Sequence, residues 1–436
     1  MIPTMKKIYI ALTAMALLTL TSCKDNMTSL SNPDNRTFIR EADGSFETQF
    51  QALWEGINQS YVFWDVDKTD WDARRDELIA LGRELDALGK LGKLDFKSSV
   101  IEEMIRKPFL GLIDHHMGIT VINPYSQAAF EDKDAYYFMP SDSEVKNRPY
   151  YTAPKKFTAY HNVLKTTFGL RLTQDMYGKY VDPETKKEIY LISALIDGCV
   201  PYLHMSGYDV AVILENQTKT EAQKVLNPFF ENIRDLKKAG KLKGIILDNR
   251  DNSGGALADM RYVVGLFINE EMDMMYNRTK NGLGKYDYSN WVRKYIEPNR
   301  DDACYVGDLG NIPYVVLQNV NSISMGEMST NTISRLGSGV TIGTRTYGGH
   351  GTLMVSNTYE QNGYSGSYNQ IDYQGGHSVY TTNTMSMLFN KKTDKWEVLE
   401  GIGLYPDIEC KLDEKQFILG IDNQVVRAMD YIKSKQ

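Results

Sequence analysis

Apolar positions recur at helical spacing from Ser45 onward: Phe46, Phe50, Leu53, Trp54 and Ile57 fall on one stripe. The pattern predicts an amphipathic helix, with Ser45 at its start as the cap and Glu47 or Gln49 beside it. Further helices are expected over 71–91 and over 96–106, where Pro108 enforces a stop. Residues 41–125 therefore read as a small N-terminal helical domain that ends in Leu112-Ile113-Asp114-His115-His116. Residues 126–190 are mixed in pattern, with a turn at Val181-Asp182-Pro183, and are left unassigned. From about 190 the period changes. Strand-like apolar runs occupy 189–196, 199–205, 210–214, 242–248, 260–267, 315–317 and 340–342, with amphipathic helical stretches such as 220–236 between them. Alternation of this kind predicts α/β layering over 191–436, closed by a C-terminal helix that carries Val425, Val426, Met429 and Ile432 on one face.

The first 22 residues do not belong to that core. Lys6 and Lys7 precede an apolar run from position 8 to 20, which is short for a membrane span, and Leu20-Thr21-Ser22-Cys23 closes it. This is the form of a secretory leader (1–22), and the small residues before Cys23 resemble a bacterial lipobox. Cys23 is expected to carry lipid, with 23–40 as a polar tether and the cell envelope as location, on the outer membrane with the domain facing the periplasm or the surface. The remaining Cys199, Cys304 and Cys410 are odd in number and widely spaced, so neither a disulfide framework nor a zinc site is expected. No metal and no cofactor is indicated. A net charge of -7 gives no electrostatic footprint for nucleic acid.

Three segments carry candidate chemistry. In Gly244-Ile245-Ile246-Leu247-Asp248-Asn249-Arg250-Asp251-Asn252-Ser253-Gly254-Gly255 a buried strand runs into a polar turn with paired glycines. Such a turn lets backbone N–H groups approach a ligand without obstruction, as an oxyanion hole requires. In Val315-Val316-Leu317-Gln318-Asn319-Val320-Asn321-Ser322-Ile323-Ser324-Met325-Gly326-Glu327 a second strand ends at Ser324, just before a helix over about 327–336. A serine there sits at the positive end of the helix dipole, although capping is the commoner use of the residue. In Val340-Thr341-Ile342-Gly343-Thr344-Arg345-Thr346-Tyr347-Gly348-Gly349-His350-Gly351 a third strand ends in a glycine-rich turn with one histidine.

Together and in this order the segments resemble the tricorn and C-terminal-processing (tail-specific) serine peptidases. Those enzymes carry a D-x-R-x-N-x-G-G turn, an S-x-S-x-x-E turn and a strand reading roughly V-G-x-x-T-x-G. Gly403-Leu404-Tyr405-Pro406-Asp407 is similar to the family's G-x-x-P-D, and the 112–116 segment to its L-x-D-x-H. The resemblance implies an α/β (α+β) fold, a crotonase/ClpP-like spiral of ββα units beside the helical domain. It also implies a serine peptidase acting on peptide or protein substrates. No PDZ-like module is recognisable over 125–190, and oligomeric state is left open.

The C-terminal-processing branch places its general-base lysine at the position that falls on Gly349 here. Another base is therefore expected. His204, in a strand similar to the tricorn strand bearing its histidine, is the first candidate, and His350 the alternative. His115 and His116 are expected to be structural, bonding helix ends. Glu400 matches the tricorn acid that orients the site. The expected mechanism has Ser324 Oγ attacking a peptide carbonyl while His204 accepts the proton. The N–H groups of Gly254 or Gly255 and of Met325 then hold the oxyanion, and Glu327 supports the turn. The competing reading is an inactive member that binds peptides without cutting them.

Overall fold

The computed structural model describes residues 44–126, 134–181, 188–208, 220–282, 284–353, 368–371 and 376–436. The leader, Cys23 and the strand expected over 210–214 lie outside the described residues.

The chain opens with three helices, α1 (Phe46–Ser60), α2 (Trp71–Lys90) and α3 (Ser99–Arg106). Each starts on a side-chain cap: Ser45, Asp70 and Ser98 accept N–H bonds from Thr48, Ala73 and Ile101 at 3.2, 3.1 and 3.3 Å. Caps of this type stabilise a helix by about 1 kcal/mol each. The stripe of Phe46, Phe50, Leu53 and Ile57 is wholly buried against Trp71, Leu78 and Leu85. This unit is not purely helical. Strands β1 (Gly118–Ile122) and β2 (Ala135–Phe138) pair on its edge, and Val379 and Met385, from far along the chain, complete its core.

The segment that sequence pattern left open supplies two helices, α4 (Asp142–Lys146) and α5 (Phe157–Phe168), and a long strand, β3 (Leu172–Val181). It is followed by β4 (Glu188–Ile196), β5 (Val200–Met205), helix α6 (Thr220–Lys238) and β6 (Ile245–Asp248). The run expected as a strand over 260–267 is instead helix α7 (Leu257–Gly265). Its buried positions Met260, Val263 and Val264 fall at i, i+3, i+4, the helical pattern, which so short an apolar run does not by itself separate from a fully buried strand. Next come β7 (Met272–Thr279), β8 (Val292–Ile296), β9 (Pro313–Gln318), α8 (Met325–Ile333) and β10 (Ser338–Gly343). The chain ends with β11 (Tyr368–Ile371), β12 (Gly376–Tyr380), β13 (Thr384–Asn390), β14 (Lys395–Val398), β15 (Ile408–Glu409), α9 (Glu414–Ile418) and α10 (Asn423–Ser434).

Seven strands form the main sheet in the order β15-β10-β9-β6-β5-β4-β3. Its central strands β5, β6, β9 and β10 run parallel. They are nearly continuous apolar runs because both faces are covered. One face packs on α6, α7 and α8 through Leu203, Met205, Leu247, Val316, Met325 and Met328. The other packs on α5 and α10 through Tyr202, Ile246, Val315, Leu317, Val425 and Met429. Two four-stranded sheets flank it, ordered β11-β12-β1-β2 and β14-β13-β7-β8. The mixed α/β layering expected from the sequence is present.

Candidate active site

Ser324 caps α8 with φ 55 and ψ -122, a left-handed conformation that few side-chain-bearing residues adopt. Such strain persists only when the surroundings fix it. Ser322 Oγ donates to the Asn249 carbonyl at 2.7 Å, and Ile323 N–H donates to that of Asn252 at 2.9 Å. Ser324 N–H donates to the Gly349 carbonyl at 3.1 Å. The three turns singled out in the sequence therefore meet at the serine.

The glycine turn after β6 explains its own residues. Buried Arg250 donates to Asp248 from Nε at 2.9 Å and from Nη2 at 2.5 Å, and to Asp422 at the start of α10 at 2.8 Å. Asn249 Nδ2 reaches Ser329 and Thr330 on α8, each at 3.0 Å. A Cβ on Gly254, at φ +88, would lie 2.8 Å from Ser324 Cβ and 2.9 Å from the Met325 nitrogen, so only glycine permits this approach. The Gly254 N–H is already spent on Asn252 Oδ1 at 2.9 Å. That removes Gly254 from the expected oxyanion donors. The N–H groups of Gly255 and Met325 have no acceptor among the described residues.

Glu327, one turn into α8, is buried and ties the third turn down. It accepts from Thr346 Oγ1, from Gly348 N–H at 2.8 Å and from Gly349 N–H at 2.9 Å. Burial alone would raise its carboxyl, but His350 and these bonds hold it below the ordinary value. His350 itself is buried, with Nε2 3.1 Å from Glu327 Oε1 but no aligned hydrogen bond on either ring nitrogen. The alternative base is thus packed into the support beneath the turn.

His204 is not at the site. Strand alternation puts it on the β5 face with Tyr202, against Phe157 and Tyr160 of α5 at ring separations of 4.4 and 4.6 Å. Ser324 begins α8, which covers the opposite face. His204 Nε2 is 2.8 Å from the Arg250 carbonyl, and Nδ1 is 3.7 Å from Asp248 Oδ2. Its ring steadies the Asp248–Arg250 turn from behind, and the sheet stands between it and the serine.

The histidine that does approach is His116. A Cβ placed on Gly349 would lie 3.1 Å from His116 Cε1 and 3.3 Å from Nδ1, so the imidazole occupies the space a side chain at 349 would need. The same Gly349 carbonyl receives the Ser324 N–H. His116 is half-buried, with Nδ1 inside and without a partner among the described residues. Burial pulls its imidazole below the usual 6.5, in spite of the Asp114 carboxylate. Neither histidine bonds a helix end as expected: His115 meets the glycine-rich turn, and His116 lies against Gly349. His115 is buried, pairs through Nδ1 with the Tyr347 carbonyl at 3.0 Å, and is held down at about 4 by burial and by Arg148. The sequence feature that points to His116 is the L-x-D-x-H match over 112–116.

Glu400 follows β14 and lies against the His115 and His350–Gly351 segments. Buried, it accepts the N–H groups of His115 at 3.0 Å, His350 at 2.5 Å and Gly351 at 2.8 Å. Burial and then Asp114 push its carboxyl well above the ordinary range, while the three N–H bonds act the other way. Asp114, Glu400 and His116 each bring a ligand-capable atom within 4.8 Å of the other two.

Residues 202–409 match the model of Peptidase family S41. Among solved structures, a candidate peptidase from Parabacteroides merdae superposes with TM-score 0.57 at 18% identity, over 89% of this chain and 96% of that one. Mature CPAF gives 0.49 at 11% identity, over 89% and 95%. A search of curated proteins finds no match. Residues 202–409, the segment that holds the glycine turn, Ser324 and Glu400, are thus similar to a peptidase domain of family S41.

Proposed function

We propose that this chain is an endopeptidase in which Ser324 is the nucleophile, His116 the general base and Glu400 the acid that orients it. Ser324 Oγ attacks the peptide carbonyl as His116 takes the hydroxyl proton, then returns it to the leaving amine. The His116 ring lies with Cε1 and Nδ1 against Gly349, whose carbonyl accepts the Ser324 N–H, and this contact brings the imidazole to the nucleophile turn. The N–H groups of Gly255 and Met325 hold the oxyanion at the positive end of α8. Asp114 stabilises the imidazolium that forms, while Glu400 holds the surrounding segments through the N–H groups of His115, His350 and Gly351.

The observation that carries this reading is Gly349. Its carbonyl fixes Ser324, and its bare α-carbon admits His116 where relatives are expected to carry a lysine. The binding-only alternative rested on the missing lysine, and His116 fills that gap. A fluorophosphonate probe tests the proposal: it labels wild-type protein at Ser324 and fails to label Ser324→Ala. Loss of labelling in His116→Ala supports the base assignment, and undiminished labelling contradicts it.

The substrate is a peptide or protein, and the chain works at the cell envelope, held by lipid on Cys23 after loss of residues 1–22. In cells fed a radiolabelled fatty acid, wild-type protein takes up label and fractionates with membranes. Cys23→Ser protein that still carries label refutes the anchor.

A further inference from the structure

Asp114, His116 and Glu400 are the only histidine, cysteine, aspartate or glutamate trio drawn within 4.8 Å among the described residues. The three do not lie on one element. Asp114 and His116 follow α3, and Glu400 follows β14, so the cluster is made by the tertiary fold. The oxygens are held in place. Asp114 Oδ2 accepts from Thr381 Oγ1 at 2.5 Å and Thr382 N–H at 3.0 Å, and Oδ1 accepts from His116 N–H at 2.8 Å. Glu400 is fixed by its three N–H donors. Asp114 Oδ2 also accepts from Thr382 Oγ1 at 3.2 Å, so the free lone pairs are those of Asp114 Oδ1 and Glu400 Oε1, which accept one bond each. His116 Nδ1 adds a buried nitrogen with no partner among the described residues.

Two buried carboxyl groups beside an unpartnered imidazole nitrogen favour a cation among them. One nitrogen and two carboxylate oxygens, with room for water as a fourth ligand, is a donor set that suits Zn2+. Bonds of about 2.0–2.2 Å separate tetrahedral ligands by roughly 3.5 Å, so from its outer bound of 4.8 Å the trio needs to close by at most about 1.3 Å.

We propose that Asp114, His116 and Glu400 form a zinc-binding site whose occupancy holds the peptidase inactive. The inhibition rests on His116 being the general base; the binding does not. Zinc takes an imidazole lone pair and fixes the ring, so His116 no longer accepts the Ser324 proton. The metal enters as an inhibitor and takes no part in hydrolysis. Any proton on His116 or Glu400 must leave as zinc binds, so affinity falls as pH is lowered.

The test uses tag-free full-length Ser324→Ala, titrated with ZnCl2 by calorimetry, alongside Ser324→Ala/His116→Gln and Ser324→Ala/Glu400→Gln. Circular dichroism and melting without zinc confirm that each is folded, and the His116→Gln form stands alone if the Glu400→Gln form is not. One site is expected, weakened by about tenfold or more in the double variants. Wild-type hydrolysis should fall with the same midpoint and recover with EDTA. Absence of binding, or binding unchanged by His116→Gln, overturns the site and leaves the base assignment standing. Binding that depends on His116 while saturated enzyme still hydrolyses peptide at the full rate overturns the inhibition, and with it the base assignment.

Discussion

Ser324 is held at φ 55 by bonds from three different turns, and little about its own side chain explains that cost. The strain makes sense if the hydroxyl must stand at the start of α8, facing the Gly255 and Met325 N–H groups. Replacing Ser324 with Ala should lower kcat/KM by about 10^3-fold or more with melting unchanged, because the deletion removes only the nucleophile. Gly254→Ala should be nearly as damaging for a different reason. Its Cβ would press on Ser324 Cβ at 2.8 Å, so the variant should fold with reduced stability and lose most of its kcat. The pH profile follows from His116. The base works when neutral, and burial holds its imidazole below 6.5. Activity should therefore rise with pH through an acid limb centred below 6.5 and stay flat through neutrality. A limb centred above 6.5 would contradict the buried-base assignment.

Among the elements, the glycine turn is braced from behind by a buried ion network that reaches across the sheet to α10. Arg250 lies between Asp248 and Asp422, and its carbonyl meets His204. Asp422→Ala leaves a buried guanidinium short of one partner and strips the cap of α10. It should cost about 3–5 kcal/mol in urea denaturation, as broken buried pairs do. Much of this architecture was legible in the sequence. Strands β5, β6, β9 and β10 read directly from apolar runs, because a strand covered on both faces needs nothing else. Alternation also placed Tyr202 and His204 on one face. What it could not say is which helices cover which face, and that decided against His204. The 260–267 run failed for a related reason, since so short an apolar stretch is not separated by spacing alone from a fully buried strand.

Over the whole molecule, the proposed base and nucleophile come from units that meet only in the folded chain. His116 belongs to the N-terminal unit, whose core is finished by Val379 and Met385 from beyond the nucleophile helix. The roles proposed for Ser324 and Glu400 draw on local turns that the sequence displays, whereas Gly254, expected as an oxyanion donor, spends its N–H on Asn252 Oδ1. The base role proposed for His116 depends on a contact with Gly349 that no local pattern encodes. The long-range seam should also be felt in stability. Thr382 binds Asp114 through both its N–H and its hydroxyl, and Thr382→Val keeps the shape while removing the hydroxyl bond. That substitution should lower kcat more than KM rises, by loosening the segment that carries His116.

The most direct measurement is kcat/KM for peptide hydrolysis by His116→Ala, Ser324→Ala and the double variant. Residues that act as one unit give strongly non-additive losses, so the double variant should be no worse than either single, each down by about 10^3-fold or more. Retention by His116→Ala of activity within about tenfold of wild type would show that another group takes the serine proton.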